Sequence, residues 1–373
     1  MDMVLTTLST GEEVHFYRKS IVIAFKGNRK VLSTSPDNGG LREDLKAVFN
    51  NDGTRGAGIA STLRAPTYAE HMALVASELG LDPLTTAGIS TAAQMENVSI
   101  KSKTYKEITV TAIVTGGIEV NGGRVGDPAS WDELERDVRK PEPTSGTINI
   151  ILHINVNLSP GALVRSLVTC TEAKTAAIQE LLAPSKYSMG LATGSGTDST
   201  IVVANTDSDI LLTNAGKHCK LGELIGKSVT AAVKEALCKQ TGLSPVFQHN
   251  VFRRVERFGI TNDSLWEKYK EGGGMSSRAK FEECVETLMI KDSLVTYTSL
   301  YCHLIDQFMW GLISLGEVIM AGNDLLKLMG MSIPDMETKA AGGIHLMIRA
   351  LERGLLELTK IELEGGEKQF DKL

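Results

Sequence analysis

The chain is poor in the residues that would place it in several large classes. Five cysteines stand among 373 residues (Cys170, Cys219, Cys238, Cys284 and Cys302), an odd and scattered set with no CxxC pair. That excludes a disulfide framework and a zinc knuckle. The seven histidines form no HExxH or HxH pattern, so no dedicated metal site is expected. Cations are outnumbered, 39 Lys and Arg against 45 Asp and Glu, which removes the electrostatic case for binding nucleic acid. The one local basic run, Arg253, Arg254 and Arg257, reads as a solvated helix face. No apolar run approaches the ~20 residues of a membrane span. The nearest, Leu304 to Met320, is interrupted by Asp306, Gln307 and Glu317 and reads as a buried helix. The first twenty residues lack the apolar segment of a secretory signal, so the cytoplasm is the expected location.

Three catalytic or nucleotide-binding motifs are also missing. There is no GxSxG elbow, which argues against an α/β-hydrolase. The loop Thr193-Gly194-Ser195-Gly196-Thr197-Asp198 is rich in glycine but contains no lysine. It leads into a strand-like run, Thr200 to Ala204, and not into a helix. A Walker loop and a Rossmann turn both need the helix N-terminus there.

What is present is an alternation of strands and helices. Val14–Phe25, Lys30–Ser33, Leu84–Ser90, Ile108–Thr115, Thr147–Asn155 and Thr200–Asn205 are rich in Val, Ile and Thr and read as strands. Leu41–Phe49 reads as a short helix, and Pro66 opens another that ends at Gly80. Ser159-Pro160 places a cap before a proline in the first turn, and predicts a helix to about Leu182 with Leu163, Leu167, Cys170, Ala173, Ala177 and Leu181 on one face. Cys170 is read as packing, since a reactive thiol needs a base or cation beside it. A second strong helix is predicted over 220–239. After about residue 245 helical periodicity takes over, and eight of the thirteen methionines lie at or beyond Met275. These Met-rich faces are expected to be core or a homodimer interface in preference to a plastic binding surface. The fold class expected is α/β (α+β): a layered core of mixed β-sheet covered by helices, residues 1–245, with a mostly helical region at 246–373.

Four Gly-rich loops offer the places for chemistry: 33–40, 115–128, 155–161 and 193–198. In the second, Asn121, Arg124 and Asp127 put an amide, a cation and a carboxylate within seven residues. An Arg–Asp pair steadying a long turn accounts for them equally well. The fourth can aim Thr197, Asp198 and backbone donors at an oxyanion or a substrate amide; a plain β-turn is its simpler reading. On the first strong helix Thr171, Glu172, Lys174 and Thr175 form a polar cluster.

Taken in order, the segments STSPDNGGL (33–41), TGGIEVNGGRVGDP (115–128), TINII (147–151), NLSPGALVRSLVTCTEAKTAAIQEL (157–181), TGSGTDSTIV (193–202) and LGELIG (221–226) resemble the adenosylcobinamide amidohydrolases over roughly residues 30–235. The resemblance implies hydrolysis of the amide joining aminopropanol to a corrin ring, a salvage step in cobalamin synthesis. Cobalt arrives inside the corrinoid substrate, so no separate cofactor is implied. Such a reaction needs a base, oxyanion donors and an acid for the leaving amine. Glu172 or Asp198 is the candidate base. Lys174 or Arg124 would hold charge, with Asn121 and the backbone of Gly194, Gly196 and Thr197 as donors. Asn38, Gly39, Gly40, Asp127 and Asn157 are candidates for lining a wide cleft. Two other readings stand beside this one: a non-catalytic corrinoid-binding protein, and a self-cleaving hydrolase using Thr197 or Ser195.

Overall fold

The computed structural model describes residues 2–54, 63–129, 132, 134, 146–332, 334, 336 and 342–365. The chain separates into two compact units, Met1–Ser244 and Pro245–Leu373.

In the first unit the strands are β1 (Met3–Thr7), β2 (Glu13–Tyr17), β3 (Ser20–Ala24), β4 (Arg29–Ser33), β5 (Gly40–Arg42), β6 (Ala47–Asp52) and β7 (Thr86–Thr91). They continue with β8 (Ser99–Tyr105), β9 (Ile108–Thr115), β10 (Gly122–Gly123), β11 (Asn149–Ile154), β12 (Asn157–Leu158), β13 (Gly194–Ser195), β14 (Ser199–Asn205) and β15 (Leu211–Leu212). Three long helices accompany them: α1 (Tyr68–Glu78), α2 (Pro160–Glu180) and α3 (Lys220–Thr241).

Two mixed sheets form, ordered β1-β2-β3-β6-β7 and β5-β4-β14-β11-β9-β8. Successive side chains on a strand point to opposite faces, and the burial follows that rule. Ile21, Ile23, Val48 and Ile89 of the first sheet meet Val31, Ile113, Ile151 and Ile201 of the second in one apolar layer. On the other face of the first sheet, Val22 and Phe49 receive Met72, Val75 and Ala76 of α1. Helices α2 and α3 pack on each other and on strands of the second sheet. Within these two sheets the parallel pairs, β6·β7 and β11·β14, are joined through helices, α1 and α2 respectively. That is the connection a parallel pair requires. The expected layered, mixed-sheet α/β core is observed.

The cap expected at Ser159-Pro160 is present: Ser159 Oγ accepts from Ala162 N at 3.3 Å with Pro160 in the first turn. Helix α3 runs two residues past the expected end, and Gly242 closes it in the left-handed region at φ 78°. Helix α1 starts at Thr67, whose capping box with Glu70 supersedes Pro66 as the start signal. The helix expected over Leu41–Phe49 is instead the end of β5, a four-residue connection and the first half of β6. Ala47, Val48 and Phe49 are all buried, and β6 pairs β3 on one side and β7 on the other. Tertiary pairing therefore overrides a weak local pattern. The single run Val14–Phe25 is a hairpin: Arg18 and Lys19 take φ 47° and 58° and reverse the chain between β2 and β3.

The second unit contains α4 (Val251–Val255), α5 (Asn262–Glu271), α6 (Arg278–Leu288), α7 (Asp292–Met309), α8 (Leu315–Leu328) and α9 (Gly343–Leu363). Met289, Met329, Met331, Met336 and Met347 are buried, so its methionines largely fill core. Tyr301 is buried and donates to Met347 O at 2.9 Å. Arg257 is not on a solvated face: it makes a two-pronged pair with Asp306 at 2.6 and 2.7 Å, both side chains nearly inaccessible. The run Leu304–Met320 is broken by Gly311 at φ 71° and divides between α7 and α8. Among the described residues no helix is long and apolar enough to cross a membrane.

Candidate functional site

Strand direction decides which loops meet. β11 and β14 run parallel, with β9 and β4 antiparallel to them. The loops before β14, after β9 and after β4 therefore lie at one end of the second sheet. The loop after β11 lies at the other end. Six strand residues separate the two ends, a span of roughly 20 Å. Asn157, in β12, is thus remote from the other three loops; it pairs with Leu211, and its Oδ1 is buried without a hydrogen-bond partner.

Two of the loops are locked together by β10 and β13, with Gly122 opposite Ser195 and Gly123 opposite Gly194. Only small residues allow this approach. A β-carbon at Gly122 would sit 2.8 Å from Ile118 O, and one at Gly194 would overlap the Asp198 carboxylate and lie 2.8 Å from Lys174 Nζ.

Asp198 is the hub of the junction. Its Oδ1 accepts from Ile148 N at 3.0 Å, Ser195 Oγ at 2.6 Å and Ser195 N at 3.1 Å. Its Oδ2 accepts from Lys174 Nζ in a direct ion pair, and from Ser195 N at 3.1 Å. The two side chains are only 14% and 12% exposed, so solvent screens the pair weakly. Beside it, Thr197 Oγ1 and Thr147 Oγ1 are 2.6 Å apart. Among the described residues Gly196 N–H meets no acceptor, while Thr197 N donates to Ser195 Oγ at 3.2 Å.

Four residues of this junction, Lys174, Ser195, Gly196 and Asp198, line a cleft of ≈460 Å³. Beside these polar groups, Val125, Pro128, Ala129 and Tyr187 contribute apolar lining. Arg124 and Asp127 also line it, and they meet through the Arg124 backbone N–H in place of the side-chain pair that one of the two sequence readings expects. Asp127 Oδ2 accepts from Arg124 N at 2.8 Å and Ser185 Oγ at 2.6 Å, bracing the turn. Burial pushes the Asp127 carboxyl upward, but hydrogen bonds from Ser185, Ser188 and Arg124 N, with the Arg124 charge, outweigh it and leave it below the usual range. The Arg124 guanidinium donates to Leu191 O at 3.3 Å.

The remaining predicted residues lie elsewhere or are already engaged. Glu172 points to solvent, 2.9 Å from Lys217, two residues along α2 from Lys174 and hence on another face. Asn121 is buried; its Nδ2 donates to Gly146 O, and its Oδ1 has no partner. Asn38 spends its amide on Pro83 O at 2.6 Å, Thr86 O at 2.8 Å and Arg42 at 2.8 Å, holding the 33–40 loop to the neighbouring segment. Gly39 is confined by Ser35 O, and Gly40 takes φ 77°. Cys170 is fully buried and its thiol is pushed up to about 12 by burial, consistent with packing. From sequence Ser195 reads only as a self-cleaving nucleophile and not as a partner of Asp198, while Thr147 beside Thr197 and Tyr187 in the cleft are not singled out. The serine three residues before an aspartate was the available signal. Among the described residues no cluster of three or more His, Cys, Asp or Glu is placed to hold a metal.

A charge pair and backbone donors in an open cleft suit a neutral, polar ligand group. The profile of the adenosylcobinamide amidohydrolase family matches residues 5–245, well over half of the chain, and the chain belongs to that family. An uncharacterized protein of Methanocaldococcus jannaschii is 36% identical over 232 residues, which are 60% of this chain and 87% of that protein. A Methanosarcina mazei protein named adenosylcobinamide amidohydrolase is 26% identical over 232 residues, 60% of this chain and 98% of the relative. The crystal structure of the PH0078 protein from Pyrococcus horikoshii overlaps 63% of this chain and 82% of its own, at 11% identity and a TM-score of 0.30, too low for any argument.

Proposed function

We propose that this protein hydrolyses the aminopropanol amide of adenosylcobinamide to adenosylcobyric acid and aminopropanol, in corrinoid salvage. The observation that carries the reading is the nearly buried Lys174–Asp198 pair at the floor of an open cleft within the family-matched region. A corrin macrocycle is larger than this cleft, so only the arm bearing the scissile amide enters.

Asp198 acts as the base. It takes a proton from water placed against the amide carbonyl, while Ser195 and Ile148 N fix its orientation. The tetrahedral oxyanion is met by Gly196 N–H. Lys174 donates a proton to the departing amine, so that the neutral amine leaves when the C–N bond breaks. The proton held by Asp198 then passes to Lys174 across their direct contact, which restores the pair. Water and amide are consumed, and acid and amine are released. The cobalt belongs to the substrate, and no step uses another metal. Asn157 and Glu172 take no part.

The test is mass-spectrometric detection of aminopropanol and adenosylcobyric acid from purified protein and adenosylcobinamide, with Asp198→Ala and Glu172→Ala alongside. Turnover by wild type and by Glu172→Ala, but not by folded Asp198→Ala, supports the reading. Corrinoid binding with no release of product would replace it with a non-catalytic binding role.

A further inference from the structure

The apolar side of the cleft has no role in breaking an amide, and its construction is specific. Tyr187 is 45% exposed although it stands in a braced turn, its N–H given to Ser185 Oγ at 3.0 Å. One side of its ring lies on Gly123: a β-carbon there would be 3.4 Å from Cδ2 and 3.5 Å from Cε2. Gly123 belongs to the same two-residue pairing that joins the loops, so the ring is seated on the framework that also carries Gly194. The Tyr187 hydroxyl has no hydrogen-bond partner among the described residues. Val125 beside it is 83% exposed, with its N–H fixed by Thr193 Oγ1 at 2.9 Å. The stem of Arg124 lies over Gly190, where a β-carbon would come within 2.7 Å of its Cδ. Apolar groups left exposed on braced backbone, in the same cleft as the Lys174–Asp198 pair, mark a binding surface for a ligand with an apolar body.

The geometry points to Tyr187 as a specificity-determining residue, a wall against which the apolar edge of the macrocycle rests while its amide arm reaches Asp198. Val125 extends that wall, and Arg124 meets amide oxygens at the ring's fringe. The inference rests on the corrinoid reading above. It assigns Tyr187 to ground-state binding of the macrocycle and not to the chemical step.

The experiment measures kcat and KM for adenosylcobinamide, and Kd from the corrin absorbance, for wild type, Tyr187→Ala and Tyr187→Phe. Loss of one aromatic contact predicts a KM and Kd roughly tenfold higher for Tyr187→Ala, with kcat within about twofold, because uniform binding is lost. Tyr187→Phe should match wild type, since the hydroxyl is unused. Unchanged Kd in Tyr187→Ala, or a fall in kcat at constant KM, overturns the proposal. If wild type binds the corrinoid without hydrolysing it, the reaction is wrong while Kd alone still judges the wall. If wild type does not bind, both fall.

Discussion

Replacing Asp198 by Asn separates the electrostatic role of the hub from its shape. The amide keeps an oxygen where Oδ1 now accepts from Ile148 N at 3.0 Å and Ser195 Oγ at 2.6 Å. Its nitrogen, however, stands where Oδ2 faces Lys174 and Ser195 N, donor against donor. One charge-assisted bond is lost, about 1.5–3 kcal/mol. The ammonium, on a side chain 12% exposed, is left with little solvent to replace its partner. The sum is about 3 kcal/mol of destabilisation. For a unit of this size that lowers the melting temperature by roughly 6–12 °C. Turnover should fall more steeply, by roughly 10²–10⁴, because the base is removed as well. Differential scanning calorimetry and aminopropanol release measure the two effects on one preparation. An unchanged melting temperature would refute the weakly screened ion pair. Wild-type turnover from the folded variant would refute Asp198 as base.

Glu172→Ala, at a solvent-facing ion pair, should change stability by less than about 0.5 kcal/mol and leave kcat/KM unaltered. A large loss of turnover would move the base to α2. Gly194→Ala forces a β-carbon into the Asp198 carboxylate; it should cost about 1–3 kcal/mol in a denaturant titration and remove most activity. Remote from the cleft, His153 is buried, and burial lowers its imidazole from 6.5 to about 4. The unfolded chain therefore binds a proton that the folded one refuses, so stability should fall as pH drops from 6.5 toward about 4. Urea midpoints at pH 7 and pH 5 should differ for wild type and converge in His153→Gln; a flat wild-type profile would sink this assignment.

Helices α2 and α3 were legible from local signals, Ser159-Pro160 at the start of α2 and the apolar stripe of Leu221, Leu224, Ile225, Val229, Val233 and Ala236 along α3. β8 escaped notice: it holds Lys101, Lys103 and Tyr105 on a sheet edge, where solvent exposure dilutes the strand pattern. β6 was misread because Leu41–Phe49 gains its strand character from neighbours on both sides, which no window of sequence contains. The Gly-rich loops were visible as loops, yet only strand direction distinguishes the three at one end of the sheet from the one holding Asn157. Likewise Glu172 and Lys174 look equivalent on paper, while the turn of α2 sends one to solvent and the other to Asp198. Tyr187 gave no signal at all, since its seat, Gly123, lies sixty-four residues away in sequence.

Two of the donors gathered on Asp198 come from distant parts of the chain, Lys174 from α2 and Ile148 from the residue before β11, while Ser195 is local, three residues back. The Ile148 and Lys174 bonds form only once β14 has docked beside β11 and α2 has packed, and each closure must first overcome the entropy of the intervening loop. Assembly of the cleft is accordingly a late event in the folding of this unit. Recovery of turnover after dilution from denaturant should lag behind recovery of helical signal, so activity reports the last contacts to form.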